Sequence, residues 1–250
     1  MEKSIRNKWF GSGAKSPSLF DAPVAQVDRA PASEAGCGRS SRPRGTFIQV
    51  GATTKFEAGG KVTDQNGLIE IRWHGRGGQG AVTSAELLAK AAIGEGKYAQ
   101  AFPSFGPERR GAPVLAFDRI SEDKPIRVRA EILEPDVVVV LDASLLRVVN
   151  VTSGLKEKGL VVINTKKALP DIAAELGGKW RIAAVDATRI AREILGVPIV
   201  NTTMLGALIQ ATGAVKMESM LVPLQARFER LAERNINAMK KAFNETVVKE

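Results

Sequence analysis

The sequence predicts an α/β protein: a three-layer α/β/α sandwich on a largely parallel sheet, with C-terminal helices and a disordered N-terminal extension. Three observations lead there. Strand-like apolar runs alternate with helix-period stretches from Leu68 onward. The run Val137-Val138-Val139-Val140-Leu141 has no polar alternate, as a strand covered on both faces requires. A glycine cluster, Gly75–Gly80, lies between the first strand-like run and the first helix-like one, where a tight turn is needed.

Taken in order, Leu68–Trp73 alternates apolar and polar side chains and predicts the first strand, and Val82–Ala92 has the composition and spacing of a helix. Further strands are predicted at Lys97–Phe102, Pro113–Ile120, Ile126–Ala130, Asp136–Asp142, Leu160–Asn164 and Arg181–Asp186, with helical stretches after the last three. Asp142, at the carboxyl end of the all-apolar run, begins a turn. Thr202–Gly213 and Glu218–Lys249 read as two or three helices, broken at Gly213 and softened at Pro223, and the last is charged enough to lie on the surface.

Residues 1–66 differ in kind from residues 67–250. The stretch Gly36-Cys37-Gly38-Arg39-Ser40-Ser41-Arg42-Pro43-Arg44-Gly45 shows no helical or strand period and too little apolar surface to offset its chain entropy. This leader is expected to be disordered, or to be a translation product of a misplaced start codon. Asp21, Asp28 and Glu34 argue against a transit peptide, which is poor in acidic residues.

Composition removes several function classes. With 44% hydrophobic residues the 250-residue chain can bury a core, and with only 5% aromatic residues it offers little for stacking bases. The net charge of +9 would invite nucleic acid, but the leader has 10 basic and 6 acidic side chains and so holds 4 of those charges. The rest is spread along helices as solvated surface, so no nucleic-acid partner is expected. Cys37 is the only cysteine and His74 the only histidine, which leaves no thiolate set for zinc or an iron–sulfur cluster. No run of 18 apolar residues and no signal segment is present, so the expected location is cytoplasmic, with no membrane partner.

Gly75-Arg76-Gly77-Gly78-Gln79-Gly80 matches GxGxxG after a strand and before a helix. Two readings stand side by side. The glycines let a phosphate or carboxylate approach the free N–H groups of the helix start, or they only let the strand turn tightly against its helix. A dinucleotide fold would also need an acidic residue ending the second strand, and Lys97–Phe102 has none. Glu95 falls before it, in the turn, where it would point away from the crevice. A second loop, Phe102–Pro113, is stiffened by prolines and contains Arg109 and Arg110, whose planar forks suit phosphate, carboxylate or a partner surface. His74 has the pKa range of a general base but reads equally as a strand-end histidine with a local hydrogen bond. Asn201, Thr202 and Thr203 read as a helix N-cap.

Together, Trp73–Gly80, Gln100-Ala101-Phe102-Pro103, Glu108–Pro113 and Asn201-Thr202-Thr203-Met204-Leu205-Gly206-Ala207 resemble the gamma subunit of pyruvate and related 2-oxoacid:ferredoxin oxidoreductases. The resemblance runs from Leu68 to the C-terminus. It implies a complex in which alpha, beta and delta-type subunits hold thiamine diphosphate, magnesium and iron–sulfur clusters, while this chain holds none of them. The complex would decarboxylate a 2-oxoacid, pyruvate first among the candidates, pass electrons to ferredoxin and form acyl-coenzyme A. No residue of this chain is expected to be catalytic. Under that resemblance Gly75, Arg76, Gly77, Gly78, Gln79, Gly80, Arg109 and Arg110 are candidates for contact with coenzyme A phosphates or a partner subunit. An independent Rossmann-like nucleotide-binding oxidoreductase is the alternative.

Overall fold

A computed structural model describes residues 67–104 and 111–249. The leader lies outside the described residues, and so do the expectations attached to it. Seven strands form one sheet in the order β2-β3-β1-β4-β5-β6-β7. They are β1 (Leu68–Arg76), β2 (Tyr98–Pro103), β3 (Pro113–Ser121), β4 (Val137–Val140), β5 (Leu160–Asn164), β6 (Arg181–Val185) and β7 (Val247–Lys249). β1, β4, β5 and β6 pair in parallel, while β3 runs against both β1 and β2, and β7 against β6. The sheet is thus parallel through its centre, as expected, with antiparallel strands added at both sides. Only residues 104–112 connect β2 to β3, fewer than the dozen or so that a parallel crossover needs, which leaves antiparallel pairing as the accessible geometry.

The polar alternates of β1 do not face water, because segments carrying Leu133, Val151 and Ser153 pass over that face and accept from Arg72; Arg72 and His74 are buried along with Ile69, Ile71 and Trp73. The strand also continues past Trp73 to Arg76. Helices α1 (Ala81–Gly94), α3 (Ala187–Leu195), α4 (Asn201–Thr212), α5 (Leu221–Phe228) and α6 (Ala232–Glu245) cover the face that presents Ile69, Ile71, Trp73, Val137 and Val139. α4 is buried around almost its whole circumference. It crosses α6 so closely that a Cβ on Gly206 would lie 2.0 Å from the Met239 carbonyl oxygen.

The opposite face carries less helix. A short 3-10 helix (Ala143–Arg147) and α2 (Leu169–Glu175) pack with Val138, Val140, Val161 and Ile163, while Phe102, Phe117 and Ile132 form a separate small cluster over β2 and β3. Residues 126–130, whose alternation predicts a strand, join no strand of the sheet. Both edges of β1 are already taken, by β3 and β4. The segment instead lies beside β3, where the Arg119 side chain donates to the Val128 carbonyl.

The C-terminal third departs from expectation in two places. The chain breaks at Glu229, a non-glycine residue at φ 44°, whereas Pro223 sits in the first turn of α5, where its missing N–H costs nothing. The segment also ends in β7 rather than in helix, after Thr246, in a β-branched run. The last helix is not simply a surface helix, for Ala238, Met239, Ala242 and Phe243 are buried beneath its charged side. Gly213, at φ 61°, caps α4 where the sequence placed the break.

Candidate functional site

After β1 the chain crosses to β2 on one side of the sheet, and after β4 it proceeds to β5 on the other. The carboxyl ends of these neighbouring parallel strands therefore part, making the kind of split where open α/β sheets place ligands. The glycine loop leaves one side of the split and Asp142 leaves the other.

Three contacts hold the two sides together. Arg76 Nε donates to Asp142 Oδ2 at 3.0 Å, Gln79 Nε2 donates to the same oxygen at 3.1 Å, and Arg76 Nη2 donates to Ser144 Oγ at 2.8 Å. Asp142 Oδ1 in turn accepts the Ser144 N–H at 2.9 Å, capping the 3-10 helix. Burial raises the Asp142 carboxyl, but the hydrogen bonds from Ser144, Gln79 and Arg76 outweigh it and hold the group below its ordinary value. Asp142 stays ionised as the hub of the junction. Sequence reasoning read it only as the start of a turn, and the one available signal was its place immediately after an all-apolar strand.

Within the loop the glycines have different tasks. Gly77 exchanges backbone hydrogen bonds with Ala112 and Gly111, which fixes the loop to the segment entering β3. Gly80, at φ 81°, is the N-cap of α1, and a Cβ there would fall 2.9 Å from the Asn201 amide nitrogen. Gly75 packs on Ala81, with 3.2 Å between a hypothetical Cβ and the alanine methyl. Gly78, at φ 94°, has no atom of the described residues within 4 Å of that position. Arg76 is drawn inward as well, since its third donor goes to the Gly111 carbonyl at 3.1 Å, and Arg76 N–H is accepted by Gln79 Oε1. Arg109 and Arg110 lie outside the described residues.

Asn201, Thr202 and Thr203 do not cap α4. The N-cap is Val200, without a side-chain hydrogen bond, and the three residues form the buried first turn. Thr202 Oγ1 donates to Asn235 Oδ1 at 2.8 Å, and the Asn201 carbonyl accepts from Ser84 Oγ in α1. The polar triplet joins α4 to α1 and α6. His74 lies inside β1 rather than at its end, and its local hydrogen bond comes from Arg72 Nε at 3.1 Å. Burial first and the Arg72 charge second push its pKa down to about 3, so it stays neutral and is unsuited to general base work near pH 7. Glu95 sits at the end of α1, ion-paired with Lys97, away from the split.

Two cavities flank the junction. One, of about 730 Å³, opens beyond the ends of β4, β5 and β6 between Gln79, Asp142, Asn164, Lys166, Thr188 and Arg192. The other, of about 470 Å³, lies over β1 on the sparsely covered face. A dinucleotide reading meets a topological obstacle: β2 sits at the sheet edge with antiparallel β3 between it and β1, so the strand that follows the loop does not lie beside β1 to bring a carboxylate to it. The residues do not fit a resident metal cluster either. Among the described residues no three His, Cys, Asp or Glu side chains gather to hold a metal ion, and the whole chain contributes one cysteine. No helix among the described residues is long and apolar enough to cross a membrane.

Residues 70–245 match the family model described as pyruvate ferredoxin/flavodoxin oxidoreductase. The chain is 58% identical over 185 residues to the pyruvate/ketoisovalerate oxidoreductases common subunit gamma of Thermococcus kodakarensis, covering 73% of this chain and 100% of that one. It is 53% identical to pyruvate synthase subunit PorC of Methanocaldococcus jannaschii, over 73% of this chain and 99% of the relative. The crystal structure of pyruvate oxidoreductase subunit PORC from Thermotoga maritima superposes with a TM-score of 0.66 at 39% identity, covering 73% of this chain and 99% of that structure. The glycine loop, the parallel centre of the sheet and the alignment along the full length of gamma-type relatives converge, and the chain belongs to the pyruvate ferredoxin/flavodoxin oxidoreductase family as a gamma-type subunit.

Proposed function

We propose that residues 67–250 act as the gamma subunit of a multisubunit 2-oxoacid:ferredoxin oxidoreductase whose substrate is pyruvate. The complex makes acetyl-coenzyme A and carbon dioxide and passes two electrons to ferredoxin. Alpha, beta and delta-type partners hold the thiamine diphosphate, magnesium and iron–sulfur clusters, and this chain contributes a shaped surface. The observation that carries the reading is the 58% identity to a gamma subunit over that relative's entire length. One cysteine cannot ligate an iron–sulfur cluster alone, which supports placing the clusters in partners.

On this reading the working surface is the split between β1 and β4. Gly78 leaves backbone open for close approach, the first turn of α1 has N–H groups without intrahelical acceptors, and the helix dipole favours an anion there. These features suit a phosphate of coenzyme A or an acidic patch on a partner. Arg76 and Gln79 act by holding the loop to Asp142, leaving Arg109 and Arg110 to meet the ligand or partner.

The test is an anaerobic pull-down with residues 67–250 fused to an affinity tag, followed by a ferredoxin-reduction assay dependent on pyruvate and coenzyme A. Recovery of thiamine and iron–sulfur subunits with that activity supports the reading. A chain that recovers no such subunits and binds NAD or FAD stoichiometrically would overturn it.

A further inference from the structure

The sparsely covered face of the sheet has a gap above β1. Register places Arg72 and His74 beside Val138 and Val140 on one side and Phe117 and Leu115 on the other. The two apolar clusters of this face therefore stop on either side of these polar side chains, and the 470 Å³ cavity opens between them. Its walls are mainly Leu115, Leu145, Val149, Val114 and Pro113, and Arg72 and His74 contribute polar surface.

Arg72 is only 7% exposed, yet among the described residues no carboxylate pairs with it. Its neighbours are the carbonyls of Leu133, Val151 and Ser153, at 3.4, 3.0 and 2.5 Å, and the neutral imidazole of His74. Carbonyl dipoles satisfy N–H groups but bring no negative charge, so burial of the cation remains uncompensated. His74 Nε2 accepts from Arg72, which obliges the ring to carry its proton on Nδ1 and makes it a donor as well. A buried cation and a neutral donor beside a mostly apolar cavity within the usual range for small-molecule sites match one negative charge attached to a hydrocarbon. A doubly charged phosphate would leave excess charge buried.

We propose that this pocket binds a small aliphatic carboxylate, with the carboxylate received by Arg72 and His74 and the hydrocarbon packed on Leu115, Leu145 and Val149. The probes are pentanoate and pentanamide, equal in shape but differing in charge, titrated calorimetrically into the full chain near pH 7. Pentanoate should bind more tightly than the amide by about tenfold or more, and Arg72→Met should abolish the difference. Because Arg72 also ties together two loops, Arg72→Met can lose its fold. Val149→Phe fills the cavity while leaving every Arg72 hydrogen bond in place, and it should weaken pentanoate binding by about tenfold without lowering the melting temperature. Equal affinity for acid and amide, no binding of either up to about 10 mM, or undiminished binding to folded Val149→Phe would each overturn the proposal.

Discussion

Arg72 Nε donates to His74 Nε2 across 3.1 Å inside the central strand, so the only histidine of the chain shares its burial with a permanent cation. With the imidazole pKa brought down to about 3, the folded protein keeps His74 neutral at pH values where the unfolded chain binds a proton. The unfolded state then binds more protons than the folded one between about pH 6.5 and 3. Stability contributed by neutral His74 is full above pH 6.5 and falls as pH drops through that window, by up to about 1.4 kcal/mol per unit. His74→Gln keeps an acceptor for Arg72 and removes the titration. Denaturant unfolding from pH 7.5 to 4.5 should show a shallower decline for the variant than for the wild type, and parallel curves would count against a neutral buried His74.

Asp118 has the opposite sign. It is fully buried on β3 and accepts from Trp73 Nε1 at 2.6 Å, while its other oxygen has no hydrogen-bond partner among the described residues. Burial raises its pKa well above the usual value, and the Trp73 hydrogen bond offsets only part of that. Above about pH 3.9 the unfolded chain ionises first, so stability falls as pH rises from there toward the folded-state pKa. Asp118→Asn keeps an oxygen for Trp73 and cannot ionise. Relative to wild type it should gain stability steadily with rising pH, measured by thermal unfolding between pH 4 and 8; a difference independent of pH would show that Asp118 is not held protonated.

These two groups mark the limit of what the amino-acid pattern discloses. The parallel centre was legible because Val137–Leu141 is apolar at every position, and the loop because six residues combine four glycines with a strand before them and a helix after them. The alternation in Leu68–Trp73 predicted a strand, but not that the segments carrying Leu133, Val151 and Ser153 would cover its polar face. The apolar-basic alternation at 126–130 likewise implied a strand, although the segment joins none of the strands of the sheet. Asp142 was passed over because its importance lies in Arg76 and Gln79, 66 and 63 residues away along the chain.

The Arg76–Asp142 junction should prove cooperative. Both side chains are about a quarter exposed, so solvent screens the pair and its coupling is modest, about 1 kcal/mol. Asp142→Asn should disturb more than one contact, because the carboxylate also serves Gln79 and Ser144. A double-mutant cycle on Arg76→Ala and Asp142→Asn, read by urea unfolding, should give destabilisations that sum to more than that of the double variant. Strict additivity would mean that the two sides of the split are not joined through this pair.

Close packing of α4 on α6 gives a second stability test. A methyl at Gly206 would meet the Met239 carbonyl oxygen at 2.0 Å, and neither backbone can yield without parting the two helices. Gly206→Ala should therefore cost on the order of 3 kcal/mol, despite alanine's higher helix propensity. Gly94, in the last turn of α1, has no atom of the described residues within 4 Å of the same position, so Gly94→Ala should be near neutral or stabilising. Chemical denaturation of both variants checks the contrast, and equal effects would place the helices farther apart than described.

Gly78 and Gly80 separate the structural and functional readings of the loop. Both lie in the left-handed region, at φ 94° and 81°, so alanine at either position carries a backbone penalty of about 1–2 kcal/mol. At Gly80 that penalty is joined by a 2.9 Å approach to the Asn201 side chain, while at Gly78 no atom of the described residues comes within 4 Å. Gly80→Ala should thus be the more destabilising substitution in the isolated chain. In the reconstituted complex the order should invert. If the open backbone at Gly78 admits coenzyme A or a partner's acidic group, a methyl there blocks the approach, and Gly78→Ala should raise the KM for coenzyme A or weaken subunit recovery with little loss of fold. Unchanged KM and unchanged assembly for a folded Gly78→Ala would confine the loop to the structural role of turning β1 into α1.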